Sequence, residues 1–173
     1  MKKLYLKRME LEDKKEVLEL ISEMTAFGSH IAGLWYEDAD SFENMFEKVK
    51  EHSEIIHESY EQSKPIKFQY LLFDEDSRLV GLFSIRPYLT RSLDETYGGN
   101  IGYSIRPSER RKGYAKEGLR LAVLECKRLN PNDPVMVCCS KDNIGSQKTI
   151  LNNGGVLIEE KNALITKQKY LIY

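Results

Sequence analysis

Ile101-Gly-Tyr-Ser-Ile105-Arg-Pro107-Ser-Glu-Arg110-Arg-Lys-Gly113-Tyr-Ala115 is the stretch on which the reading of this chain turns. It reads as a strand that runs into a basic, glycine-containing turn, and the turn opens a long amphipathic helix. Pro107 closes the strand, because proline cannot donate to a ladder. A helix N-terminus carries unpaired N–H groups and about half a positive charge. Arg110, Arg111 and Lys112 stand just ahead of it, and Gly113 has no Cβ to keep a ligand from the backbone. Together these features predict a site for a pyrophosphate or another polyanion.

Working outward, the helix after the turn is expected over Tyr114 to Leu129, with Ala115, Leu119, Ala122, Cys126 and Leu129 on one face. Asn130-Pro-Asn-Asp-Pro134 stops it. Val135 to Cys139 is an apolar run suited to a sheet interior. Asp142 to Asn153 follows as a helix, capped by Asp142 or Asn143 and closed by Gly154. Val156 to Glu160 and Leu164 to Tyr173 complete the strands. Upstream, Leu4 to Leu6 is a short strand, and Glu12 to Met24 is a helix with Val17, Leu20, Ile21 and Met24 on one stripe. Phe27 to Glu37 breaks the periodicity and reads as a loop. Asp40 and Glu43 resemble a capping box for a second helix. Phe68 to Phe73 and Leu79 to Tyr88 form a hairpin, and Thr90 to Gly99 reads as a polar loop. No repeat or linker interrupts the pattern, so one α/β domain over residues 1–173 is expected.

Composition narrows the function. The 26 basic and 27 acidic side chains nearly cancel, which disfavours a general nucleic-acid-binding protein and makes the cationic patch local. No apolar run approaches the ~18 residues needed to span a bilayer, so no membrane partner is expected. The first eight residues lack the apolar core of a signal peptide. Three cysteines without framework spacing suit reduced thiols in a cytoplasm. Adjacent Cys138 and Cys139 would point to opposite faces of a strand, and three scattered histidines add nothing to a metal site. No metal is expected.

The order strand, basic turn, helix, strand, helix, strand resembles the GNAT superfamily of N-acetyltransferases. Arg110-x-x-Gly113-x-Ala115 matches each fixed position of that superfamily's pyrophosphate motif, Arg/Gln-x-x-Gly-x-Gly/Ala. The strand at 135–139, Asn143 and Gly154-Gly155 match its second signature. Gly102-Tyr-Ser-Ile-Arg-Pro-Ser-Glu-Arg110 and Asp142-Asn-Ile-Gly-Ser146 resemble a bacterial group known mainly as predicted acetyltransferases. The resemblance is specific over about residues 68–160. It implies an α/β fold with a mixed, mostly antiparallel twisted sheet of six to seven strands, splayed at the motif strand and flanked by about four helices.

It also implies acetyl-CoA as cosubstrate and a small-molecule or peptide amine as acceptor, with a homodimer allowed. Backbone N–H groups of Arg111, Lys112, Gly113, Tyr114 and Ala115 would wrap the pyrophosphate. The strand at Tyr103, Ser104 and Ile105 would pair with the pantetheine arm, and the Ile105 N–H would polarise the thioester carbonyl. Asn143 would bond the arm, with Ser146 and Lys148 beside it. The chain departs from the resemblance at Ile150, where many such enzymes carry a tyrosine that protonates the departing thiolate. On the acceptor side, Phe27, Trp35 and Tyr36 are candidate substrate contacts. Glu95 and Asp94, the acids nearest the start of the motif strand, are candidate general bases. A loop histidine, His30, is a further titratable group there. Two other classes stay open at this point: a catalytically degenerate acyl-CoA-binding module, and a nucleic-acid binder using residues 110–112.

Overall fold

The computed structural model describes residues 2–32, 34, 41–161 and 166–173. Among the described residues seven strands fall into two antiparallel sheets. The first has the order β1-β2-β3-β4, from Leu4–Arg8, Phe68–Asp74, Leu79–Ile85 and Ile101–Ile105. The second has the order β5-β7-β6, from Val135–Ser140, Lys167–Ile172 and Val156–Lys161. Among the described residues five α-helices accompany them: α1 Lys14–Ala26, α2 Phe42–Ser53, α3 Arg91–Glu95, α4 Tyr114–Leu129 and α5 Ile144–Leu151.

The continuous apolar character of β2 and β3 has a simple cause: both faces of that sheet are covered. Successive residues of a strand point to opposite sides. Leu71 and Leu82 therefore pack with Val17, Leu20 and Met24 of α1 and Met45 of α2. Their neighbours Leu72 and Phe83 pack with Leu119, Ala122 and Cys126 of α4. Helix α4 lies close on this sheet because Gly118 faces it. A Cβ there would come within 2.5 Å of Phe83 Cζ and 2.8 Å of Leu72 Cδ2.

The two sheets share the core under α4, and Asn100 clasps their backbones together. Its N–H donates to Met136 O (2.7 Å), and its side-chain Oδ1 accepts from Met136 N–H (2.7 Å). On the other side Asn100 Nδ2 donates to Arg86 O, and Arg86 N–H donates to Asn100 O, both at 2.8 Å. β4 starts just after this clasp and β5 just before it, so the two strands leave it side by side. They share no ladder beyond it.

Several expected boundaries move. The loop expected over Thr90 to Gly99 contains α3, a single turn capped by Thr90, whose hydroxyl accepts from Leu93 N–H. Five residues are too few to display a helical period. Helix α2 is capped by Ser41, whose Oγ accepts from Asn44 N–H at 3.2 Å, while Asp40 lies outside the described residues. Asn143, rather than Asp142, caps α5.

Candidate active site: a cleft between two strands

Between β4 and β5, beyond the Asn100 clasp, lies a cleft of about 780 Å³. The volume is in the range of small-molecule and cofactor sites. The backbone of β4 supplies one wall. Arg106 N–H donates to Val80 O (2.9 Å), and the β3–β4 register pairs Ser104 with Leu82 and Gly102 with Ser84. Hydrogen-bonded pairs alternate in an antiparallel ladder. Residues 102, 104 and 106 therefore bond β3, while the N–H and C=O groups of Ile101, Tyr103 and Ile105 face the cleft. A bound chain with its own amides would add there as a strand.

At the mouth stands the basic turn. Arg111 and Gly113 both adopt left-handed backbone, with φ of 65° and 84°. The first N–H of α4 to bond within the helix is that of Glu117, to Gly113 O (3.2 Å). The N–H groups of Tyr114, Ala115 and Lys116 are left without an intrahelical partner at the cleft mouth. The turn is braced from two sides. Glu23 at the end of α1 accepts from Ser108 N–H (2.7 Å) and lies 3.5 Å from Arg106 Nε. Burial pushes the Glu23 carboxyl up, but Ser108 and Arg106 outweigh it and hold it below the usual carboxylate range. Buried Glu109 accepts from Arg78 Nε and Lys112 Nζ, both at 2.8 Å.

The three cations singled out by sequence therefore have different jobs. Arg110 folds inward, donating to Ile105 O (3.1 Å) and Ser29 Oγ (2.9 Å), and so ties the turn to the segment after α1. Lys112 is engaged by Glu109 and is the one residue of 110–115 that does not line the cleft. Arg111 has no hydrogen-bond or ion-pair partner among the described residues. Two further unpaired cations, Lys116 and Lys148, join it at the cleft. Sequence reasoning passed over Lys116. Its signal was a lysine in the first turn of a helix, where the dipole disfavours a cation unless an anion is present.

The far wall comes from β5 and α5. Asn143 Oδ1 accepts from Ser146 N–H (3.0 Å), which caps the helix and turns Ser146 toward the cleft. Cys138 and Cys139 also line it, and burial raises both thiols, that of Cys138 to about 12. Tyr103 crosses from β4 to this wall: its hydroxyl lies 2.8 Å from Ser146 Oγ, and its ring stacks on Phe83 at 5.5 Å. Burial pushes the Tyr103 phenol up to about 12, with Ser146 pulling the other way. Ile150 is wholly buried in the core, so it presents nothing to the cleft.

The acceptor-side candidates divide. Ser104 Oγ accepts from Ala32 N–H (2.8 Å) and donates to His30 O (3.4 Å), so the segment after α1 is stitched over β4. Ser29, His30 and Ala32 line the cleft. Phe27 is 68% exposed at the end of α1 and does not line it. Trp35 and Tyr36 lie outside the described residues. Asp94 accepts from Lys169 Nζ (2.7 Å) and Tyr60 OH (2.9 Å), and chiefly Lys169 holds its carboxyl below the usual range. Neither Asp94 nor Glu95 lines the cleft. Among the described residues no cluster of His, Cys, Asp or Glu is arranged to hold a metal.

The profile of the acetyltransferase (GNAT) domain matches residues 3–156. The chain belongs to the GNAT acetyltransferase family. No curated protein sequence matches it. Among solved structures, this GNAT chain is similar to RimL, a ribosomal-protein alpha-N-acetyltransferase in complex with coenzyme A. The two share 16% identity at a TM-score of 0.70, over 97% of this chain and 92% of that one. It is similar also to a mutant of spermidine N-acetyltransferase SpeG from Vibrio cholerae, with 16% identity and a TM-score of 0.65 over 98% and 92% of the chains. A dodecameric spermidine N-acetyltransferase from the same organism gives 15% identity and a TM-score of 0.65, again over 98% and 92%. At these identities the likeness establishes the fold, a splayed pair of sheets. No helix among the described residues is long and apolar enough to cross a membrane.

Proposed function

We propose that this protein is an N-acetyltransferase that moves acetyl from acetyl-CoA to a primary amine by direct attack. The observation that carries the reading is the cleft itself. A strand edge with the amide groups of Tyr103 and the N–H of Ile105 facing the cleft leads to a helix start with free N–H groups and unpaired Arg111, Lys116 and Lys148. A pyrophosphate joined to an amide-bearing arm matches both parts. Arg110 serves as a brace in this reading rather than as a phosphate contact.

The chemistry asked of the chain is modest. Holding a neutral amine against the thioester supplies most of the rate. The Ile105 or Tyr103 N–H, aimed into the cleft, stabilises the oxyanion that develops on the thioester carbonyl. The amine enters from the side covered by Ser29 to Ala32. His30 is the titratable group lining the cleft there, whereas Asp94, tied to Lys169, is a poor base. The relatives act on a ribosomal protein and on spermidine, so a peptide N-terminus and a polyamine are the two acceptor classes to try first.

The test pairs binding with turnover. Calorimetry with coenzyme A should show binding to the wild-type protein and none to a folded Gly113→Val variant. A β-branched residue resists the φ of 84° and keeps phosphate from the backbone. Thiol release from acetyl-CoA should rise on adding spermidine or a peptide with a free N-terminus. Unchanged affinity in the variant overturns the cofactor site. Tight coenzyme A binding with no thiol release for any amine would instead identify a degenerate acyl-CoA-binding module.

A further inference from the structure

We propose that the Tyr103 hydroxyl is the proton donor to the coenzyme A thiolate as it leaves, with Ser146 positioning it and returning its proton. This inference rests on the acetyl-transfer reading above. In that reaction the amine nitrogen bonds to the acetyl carbon, the C–S bond breaks, and its electron pair departs on sulfur. The phenol proton passes to sulfur to give the free thiol. The nitrogen gives up its surplus proton to water, and the phenolate recovers one through the Ser146 hydroxyl. The sum is amine plus thioester to amide plus thiol, with no other reactant.

Three observations converge on this residue. Its placement comes first: Tyr103 belongs to β4, whose edge faces the cleft, yet its hydroxyl reaches across to α5. Ser146 precedes the buried Ile150 by one helical turn, so the strand delivers a phenol to a helix face that carries no acid of its own. The ring is also fixed, by stacking on buried Phe83 at one end and by the Ser146 bond at the other.

The second observation is what else is there. The protic side chains grouped at this point are Tyr103, Ser146, Thr149 and Cys139. The Thr149 hydroxyl donates to Gly145 O (2.8 Å), within its own helix. An aliphatic hydroxyl is a far weaker acid than a phenol. Cys139 is itself a thiol, and proton exchange between like thiols gives no net driving force.

The third is the effect of burial on the leaving thiolate. A free thiol has a pKa of ~8.5 and would be a poor proton acceptor from a phenol of ~10 in water. At this point burial raises both the Cys139 thiol beside Ser146 and the Tyr103 phenol. A coenzyme thiol in the same surroundings is shifted the same way. Burial thus makes the leaving thiolate a stronger proton acceptor than it is in water, and the phenol is the acid that the geometry sets beside it.

Tyr103→Phe removes one oxygen and keeps the ring on Phe83. Its steady-state turnover with acetyl-CoA and an accepted amine should show kcat lower by roughly 100-fold, the lower range for loss of a general acid. Affinity for coenzyme A by calorimetry should stay within about 3-fold of wild type, on the reading that the hydroxyl acts on the leaving sulfur. The solvent deuterium isotope effect on kcat should disappear with the phenol, a readout that a packing defect would not move. Ser146→Ala should give a smaller loss of kcat and keep the isotope effect. Wild-type turnover equalled by Tyr103→Phe overturns the inference and leaves acetyl transfer standing. So does a loss of coenzyme A affinity as large as the loss of kcat, which would make Tyr103 a binding residue. A wild-type protein that binds coenzyme A and acetylates nothing overturns both readings together.

Discussion

The two sheets that wall the cleft are built on opposite terms. Every residue of β2 and β3 is buried, because α1 and α2 cover one face and α4 the other. Every residue of β6 is exposed, although Val156, Leu157 and Ile158 are as apolar as anything in β3. Stability is therefore unevenly distributed, concentrated behind β4 and thin at the outer edge of the second sheet. The cleft lies on the seam between these regimes. One wall is held by a core on both sides, and the other by the shared core under α4 and the Asn100 clasp.

The largest test of the contrast is Phe83→Ala. Phe83 is wholly buried, packs under α4 and supports the Tyr103 ring. Truncating it should cost ~3–5 kcal/mol, as for buried aromatics generally. Urea unfolding would register this as a large fall in midpoint with an unchanged slope. A loss below ~1 kcal/mol would mean that the first sheet is not the rigid wall described here.

Next in size is the seam. Asn100→Ala removes the acceptor of Met136 N–H and the donor to Arg86 O. Each buried group left unpaired costs ~1–3 kcal/mol. The more specific readout is hydrogen exchange: the Met136 amide should lose protection, while amides in β2 and β3 keep theirs. Uniform loss across both sheets would show that Asn100 supports the whole fold rather than the seam alone.

The same asymmetry explains what the sequence made legible. The strand, basic turn and helix at 101–129 were readable because each carries local signals: alternation, proline, glycine and helical period. The apolar faces of α1 and α4 were readable for the same reason. Charges were not. Arg110 and Lys112 look alike in sequence, and only the folded chain shows one bonded to Ser29 and Ile105 and the other to Glu109. Asp94 and Glu95 seemed well placed because they precede β4 in the chain. Yet both belong to α3, the left-handed backbone at Tyr97 (φ of 57°) turns the chain before β4 begins, and Lys169 claims Asp94 from a distant strand. Tyr103 appeared as a backbone partner only, since nothing in the sequence ties it to Ser146. The strand expected at Val156 to Glu160 is present as β6, but its exposure was not legible. An apolar run predicts a strand, but whether that strand lies inside a sheet or at its edge depends on neighbours the sequence does not name.

That last point gives the smallest expected effect and the sharpest use of it. Leu157 is 46% exposed, so Leu157→Ala should change stability by less than ~0.5 kcal/mol in dilute solution, as at other open surface sites. The measurement should be made at two protein concentrations, because a bare apolar edge strand invites pairing with another chain. If a second copy covers β6, the wild-type midpoint will rise with concentration and the variant will lose that rise, since association adds to stability by mass action. If the edge stays open, both midpoints will be flat and nearly equal. A loss of ~2 kcal/mol or more that is the same at every concentration would require Leu157 to be buried within its own chain. The contrast between the two sheets would then be wrong.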